Sequence, residues 1–324
     1  LFAALTPMLL IYFLYFDALS YSVIIVYALL MGLAQAFVTP ARDGLLNQVA
    51  SDNIQRMVVL ASLCQFGFQI LGYTLAGFAD TVGAITILTV QSIILLMGCG
   101  ALLALGEVGA PRAESRQASV MKDLWEGAST VAGNPLMRAV MIQNVAMGIF
   151  FMGAFIVALP LVVREIYSGT SGDLAALNAF NSLGLVITIG VLLRLGHIAR
   201  AGRALLLAQF VGSLVLVLAG WVVQQYLFVF FVFMWGICGG VAMPMSRTLM
   251  QQTAPPALRA RVMSFYAFSF LGAGPPGALW AGYLADSVGP QNAIIISAGC
   301  MALLALLMGV VSPLWGSVTE QTAI

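Results

Sequence analysis

The chain has 324 residues, 61% of them hydrophobic and 8% charged, with a formal net charge of +1. A soluble domain carries about 25% charged residues, so the composition excludes a water-soluble helical bundle, in which every helix needs a polar face. The absence of a dense basic stripe argues against nucleic-acid binding.

A hydrocarbon layer about 30 Å thick takes about 20 apolar residues of helix. Cut at clusters of charge, proline and glycine, the chain gives ten spans, at about 1–16, 22–40, 58–79, 84–106, 137–162, 174–195, 204–223, 225–245, 263–284 and 290–312. The span 84–106 offers only Thr86, Thr89, Gln91 and Ser92 as polar side chains. Leu1 is not a methionine, and the start reads as cut, with no signal peptide ahead of the first span. Cys64, Cys99, Cys238 and Cys300 lie far apart in apolar stretches with neither zinc nor redox spacing, and read as small core hydrophobes. Between the fourth and fifth spans, Val120, Leu124, Ala128 and Val131 recur at spacings of four, four and three, which predicts an amphipathic surface helix. Asn134 and Pro135 then supply a cap and first turn for the next span. The predicted organisation is a helical part over 1–106, a central loop over 107–136 and a six-helix part over 137–324.

Of the thirteen basic residues, all but Arg164 fall on one side of these spans, among them Arg42, Arg138, Arg200, Arg203, Arg259 and Arg261. The positive-inside rule makes that side cytoplasmic. The chain also repeats itself. At a shift of 204 residues Gly32, Ala36, Pro40, Leu45, Gln48 and Ala50 face Gly236, Gly240, Pro244, Leu249, Gln252 and Ala254; at 206, Ala79-Asp80-Thr81-Val82-Gly83 faces Ala285-Asp286-Ser287-Val288-Gly289. Both copies keep their basic loops on the same side, so the repeat is parallel. The counterpart of the second copy's start would lie about 66 residues ahead of Leu1, the length of two spans. The expected fold is therefore all-α and integral to the membrane, comprising helices three to twelve of a six-plus-six parallel repeat.

Three motifs point to a family. Pro40-Ala41-Arg42 ends a span; Leu124-Trp125-Glu126-Gly127 leads through Val131 to Asn134-Pro135-Leu136-Met137-Arg138; and Leu258-Arg259-Ala260-Arg261-Val262-Met263-Ser264 opens the ninth span. In this order they resemble the branch of the major facilitator superfamily that includes the bacterial enterobactin exporter. The resemblance implies a major facilitator-type fold and alternating-access export of a small organic molecule, siderophore- or drug-like. It also implies a plasma-membrane location, the inner membrane in a bacterium. Gly196-His197-Ile198-Ala199-Arg200-Ala201-Gly202-Arg203 looks like the superfamily's gating loop without its aspartate, so Arg42, Arg200, Arg203, Arg259 and Arg261 are the gate and loop candidates. Drug antiporters of the family carry an arginine where this chain has Ala28 and Gly-Pro where it has Gly72-Tyr73.

Substrate in such folds sits near the midplane, so polar groups within spans are the candidates. They are Gln65, Gln69 and Tyr73 on one helical face, Gln143 and Asn144, Asn178 and Asn181, and Tyr266; interhelical hydrogen bonding is the competing role. Gly32, Gly236 and Gly240 would let helices pack closely. No carboxylate stands mid-span, which leaves possible proton coupling without a titratable group in these spans. No catalytic cluster, metal spacing or cofactor loop is present. The expected partners are the lipid bilayer and a small-molecule substrate, with the protein a monomer. A non-transporting membrane component, an inactive truncated transporter and an inverted-repeat ten-helix exporter are the alternatives.

Overall fold

A computed structural model describes residues 2–49, 54–104, 120–195, 198, 200–255 and 258–316. The helices are α1 (Phe2–Tyr15), α2 (Tyr21–Val49), α3 (Ile54–Ala76), the single turn α4 (Ala79–Val82), α5 (Ala84–Ala104) and α6 (Val120–Gly133). There follow α7 (Pro135–Ile166), α8 (Ser171–Leu195), α9 (Ala201–Trp221), α10 (Gln225–Thr253), α11 (Arg259–Val288) and α12 (Pro290–Val311). Each of the ten expected spans falls on one of these helices, and α6 occupies the stretch expected to lie along the surface. Among the described residues six helices, α5 and α7 to α10 with α12, are long and apolar enough to cross a membrane; Phe2–Tyr15 and Tyr21–Gln35 are apolar but shorter.

Two helices run further than the sequence suggested. The sequence ends these spans at 40 and 245, at Pro40 and just past Pro244, but α2 continues to Val49 and α10 to Thr253. A proline costs less in a long membrane helix, because neighbouring groups re-satisfy the carbonyl it frees.

The internal repeat is visible in the backbone. α2 and α10 are both 29 residues long, and both of their ends are offset by the same 204 residues. Gly83 (φ 80°, ψ 151°) and Gly289 (φ 90°, ψ 156°) adopt the same conformation, which only glycine enters readily. Each donates its N–H at 3.0 Å to the carbonyl four residues back, of Ala79 or Ala285. The two Ala-Asp-x-Val-Gly segments therefore make the same turn into α5 and α12.

The chain divides into two compact units, residues 1–64 with 72–116, and residues 65–71 with 117–324. In the first, α1 packs on α2 and α5. In the second, α10 packs on α8 and α9, α9 on α12, and α11 on α6, α7 and α12. α9 buries Gln209 and Ser213 together with Leu205, Leu206 and Leu216, while Leu207, Val211, Leu214 and Leu218 form an exposed apolar stripe, the arrangement expected where lipid is the solvent. The reading of the cysteines as core residues is corrected: Cys64 is exposed and Cys99, Cys238 and Cys300 are only half-buried. In lipid an apolar side chain gains little by facing inward.

Close glycine contacts fix two crossings in the second unit. A methyl group on Gly236 would run into the Asn181 carbonyl, and one on Gly240 would lie 2.7 Å from the Thr188 Cβ, so α8 and α10 touch backbone to backbone. At the crossing of α7 and α11 a methyl on Gly277 would come within 2.5 Å of the Ile149 carbonyl oxygen. Gly32, by contrast, meets nothing within 4 Å and is not a helix contact among the described residues. The Gly274-Pro275-Pro276-Gly277 run sits inside an unbroken α11.

Candidate functional site: a polar cluster between three helices

α7 starts as the sequence predicts. The Asn134 side chain accepts from the N–H groups of Leu136 (2.9 Å) and Met137 (3.2 Å), with Pro135 in the first turn. Beyond Ala146 the helix widens to i→i+5 turns over Met147–Met152, Ala154–Ala158 and Val162–Ile166. Pro160 has no N–H to give to the ladder, and such wide turns are frequent at functional sites.

One turn before the widening, Asn144 is buried at 3% exposure. Its amide nitrogen donates to the Tyr266 carbonyl (2.9 Å) and to the Ser269 hydroxyl (2.8 Å), both on α11. The Tyr266 hydroxyl donates to Ser246 Oγ on α10 (2.9 Å), and the Ser269 hydroxyl returns to the Tyr266 carbonyl (2.7 Å). The cluster thus ties α7, α10 and α11 together. Aromatic rings pack further along α7: Phe151 and Phe155 lie 5.5 and 6.0 Å from the Trp235 ring, and Phe150 lies 6.2 Å from Trp280.

Gln143, next to Asn144, is fully buried, and both of its amide atoms lack a hydrogen-bond partner among the described residues. An unpaired buried amide costs about 1–3 kcal/mol. A water or a ligand group that hydrogen-bonds it would recover that cost. Gln209 on α9 is in the same condition, so burial alone does not mark a site; Gln143 differs in being the chain neighbour of Asn144.

The remaining candidates disperse. Asn181 donates to the Val232 carbonyl (3.0 Å) and serves as a joint between α8 and α10, with Asn178 half-buried one turn earlier. Gln65 is exposed and Gln69 and Tyr73 half-buried on α3; the first two are grouped with the second unit and Tyr73 with the first. The basic candidates take separate roles. Arg261 pairs with Glu126 of α6, and Gly127 beside it lies against the Arg261 carbonyl, so the second and third sequence motifs meet. Arg203 donates to the Trp315 carbonyl (2.6 Å) with its guanidinium 5.2 Å above that ring. Arg200 and Arg259 are exposed. The Arg42 side chain and His197 lie outside the described residues. Sequence reasoning missed Ser246 and Ser269; Ser269 follows Tyr266 by three residues and shares its face, a signal that could have found it. Among the described residues no group of three His, Cys, Asp or Glu side chains could hold a metal ion.

Apolar helices of membrane-crossing length, arranged around a buried hydrogen-bonded polar cluster, define a multi-pass membrane protein with polar groups in its interior. A family model described as Major Facilitator Superfamily matches residues 1–278, and the chain belongs to that family, whose members are generally transporters. A search of curated proteins returned no match.

Proposed function

We propose that the protein is a secondary active transporter that works by alternating access and exports a small organic molecule, siderophore- or drug-like, across the plasma membrane. On this reading the ten apolar spans of the sequence are helices three to twelve of two parallel six-helix repeats. The observations that carry the proposal are the buried Asn144, Tyr266, Ser269 and Ser246 cluster within apolar helices and, one residue before Asn144, the Gln143 amide that has no partner among the described residues. A buried polar group without a partner is retained where a ligand or water supplies the missing bond. The substrate offers hydrogen-bonding groups to this cluster and an aromatic or aliphatic body to Phe151 and Phe155 along α7. Proton coupling calls for a titratable group in the pathway, and no carboxylate stands in the middle of these spans.

The test is efflux of aromatic and hydroxylated probes from cells or proteoliposomes containing the protein. Asn144→Ala and Tyr266→Phe are expected to lower transport at least tenfold while the protein remains folded and membrane-inserted. Transport at wild-type rate in both variants would remove the cluster from the substrate path, and no gradient-dependent flux of any probe would favour a non-transporting membrane component.

A further inference from the structure

The outer face of α7 carries a groove that the transport reading leaves unused. Met141 and Ala146 form its buried floor, Ile142, Val145, Ile149 and Phe150 line its sides, and Leu304 of α12 closes it. Its volume is about 300 Å³. From Met141 to Phe150 the helix rises about 13–14 Å, close to the depth of one leaflet's hydrocarbon, about 15 Å. Ile142 at the mouth is 44% exposed, so the groove opens sideways.

Arg138 stands at the end of this groove nearest the start of α7. It precedes Met141, Ile142, Val145 and Ile149 by three, four, seven and eleven residues and therefore shares their face. Helical side chains lean toward the N-terminus, which carries its guanidinium past the groove toward the membrane boundary. Arg138 is exposed, and among the described residues no carboxylate pairs with it; Glu126 on the preceding helix is held by Arg261.

An apolar slot of leaflet depth that ends in one cation fits an amphiphile with a hydrocarbon chain and an anionic head. We propose that the α7–α12 groove binds an acidic phospholipid, with an acyl chain between the two helices and its phosphate on Arg138, where a guanidinium can make two parallel hydrogen bonds. The membrane side is that of Arg138, cytoplasmic under the positive-inside orientation. A zwitterionic lipid offers the same phosphate but brings a quaternary ammonium close to Arg138 and leaves the site with a net positive charge. A second protein helix would favour small residues on this face, where Ile142, Val145, Ile149 and Phe150 are bulky.

Native mass spectrometry of the full chain in detergent tests this, with phosphatidylglycerol and phosphatidylcholine of matched chains as probes. The wild-type protein is expected to bind one phosphatidylglycerol about fivefold more tightly than phosphatidylcholine, the weight of one basic residue near an anionic head group. Arg138→Gln abolishes that preference and keeps weak binding of both lipids. Val145→Trp fills the slot and lowers uptake of both, and Arg203→Gln, at the start of α9, changes neither. Should Val145→Trp fail to melt cooperatively, Ile142→Trp at the mouth takes its place. The site is overturned by equal wild-type affinities, by a preference that survives Arg138→Gln, or by unchanged uptake in the slot-filling variant. It is also overturned if filling the slot converts a dimer to a monomer, which would make the groove a contact between copies.

Discussion

Gly32 and Gly236 hold the same position in the two copies of the repeat, on helices of equal length. Among the described residues a methyl group at Gly32 would meet nothing within 4 Å, whereas at Gly236 it would run into the Asn181 backbone. The turns that follow are alike in both copies, with Gly83 and Gly289 in one conformation and bonded to the same relative carbonyl. Duplicated sequence has kept local backbone structure, and the partner helix has decided what each position does. In the second copy that partner is α8, which presents Asn181 and Gly184 to α10.

The largest test of this contrast is the pair Gly236→Val and Gly32→Val. The first is expected to lower stability by about 3 kcal/mol or to prevent folding, since it overpacks a backbone contact; the second should melt within about 0.5 kcal/mol of wild type. Thermal melts in detergent read both, and equal losses would mean that α2 is packed as α10 is. Gly83→Ala and Gly289→Ala sharpen the other half of the comparison. Each forces a side chain into a conformation essentially reserved for glycine, at about 1–3 kcal/mol, and the two losses should agree. A loss confined to one would break the equivalence of the turns.

Within the second unit, Gln143→Leu and Gln209→Leu each remove a buried unpaired amide and should raise stability by about 1 kcal/mol. Transport should fall only in Gln143→Leu, which separates a ligand-facing amide from an incidental one. The smallest effect belongs to Glu126→Gln. Its pair with Arg261 is partly solvated and contributes up to about 1 kcal/mol, less at high salt. A melt that is unchanged at low ionic strength would show that α6 is held by Gly127 and Val131 alone.

Several features were legible because they are local. The cap at Asn134, the helical character of each apolar run, the breaks ahead of α5 and α12 and the helical stretch of α6 depend on residues within a few positions of one another. Candidate site residues fared differently. Asn144, Tyr266 and Asn181 drew notice as polar groups in apolar spans, but nothing in their spacing separated a three-helix cluster from the α8–α10 joint. Arg261 is a gate and loop candidate by sequence, and only the structure shows that it pairs with Glu126, 135 residues earlier.

The sequence by itself determined that the protein is helical, lives in a membrane and is built from a duplicated half, because apolar run length, charge placement and internal repetition are one-dimensional properties. Only the tertiary structure decided which faces meet: that among the described residues Gln143 is buried without a partner while its neighbour Asn144 bonds across to α11, that the cysteines are exposed or only half-buried, and that Gly236 packs on a neighbouring helix where Gly32 does not. The physical reason is that lipid is as apolar as a protein core, so helices that are hydrophobic all round carry no periodic mark of their inner side, and contact geometry alone assigns it.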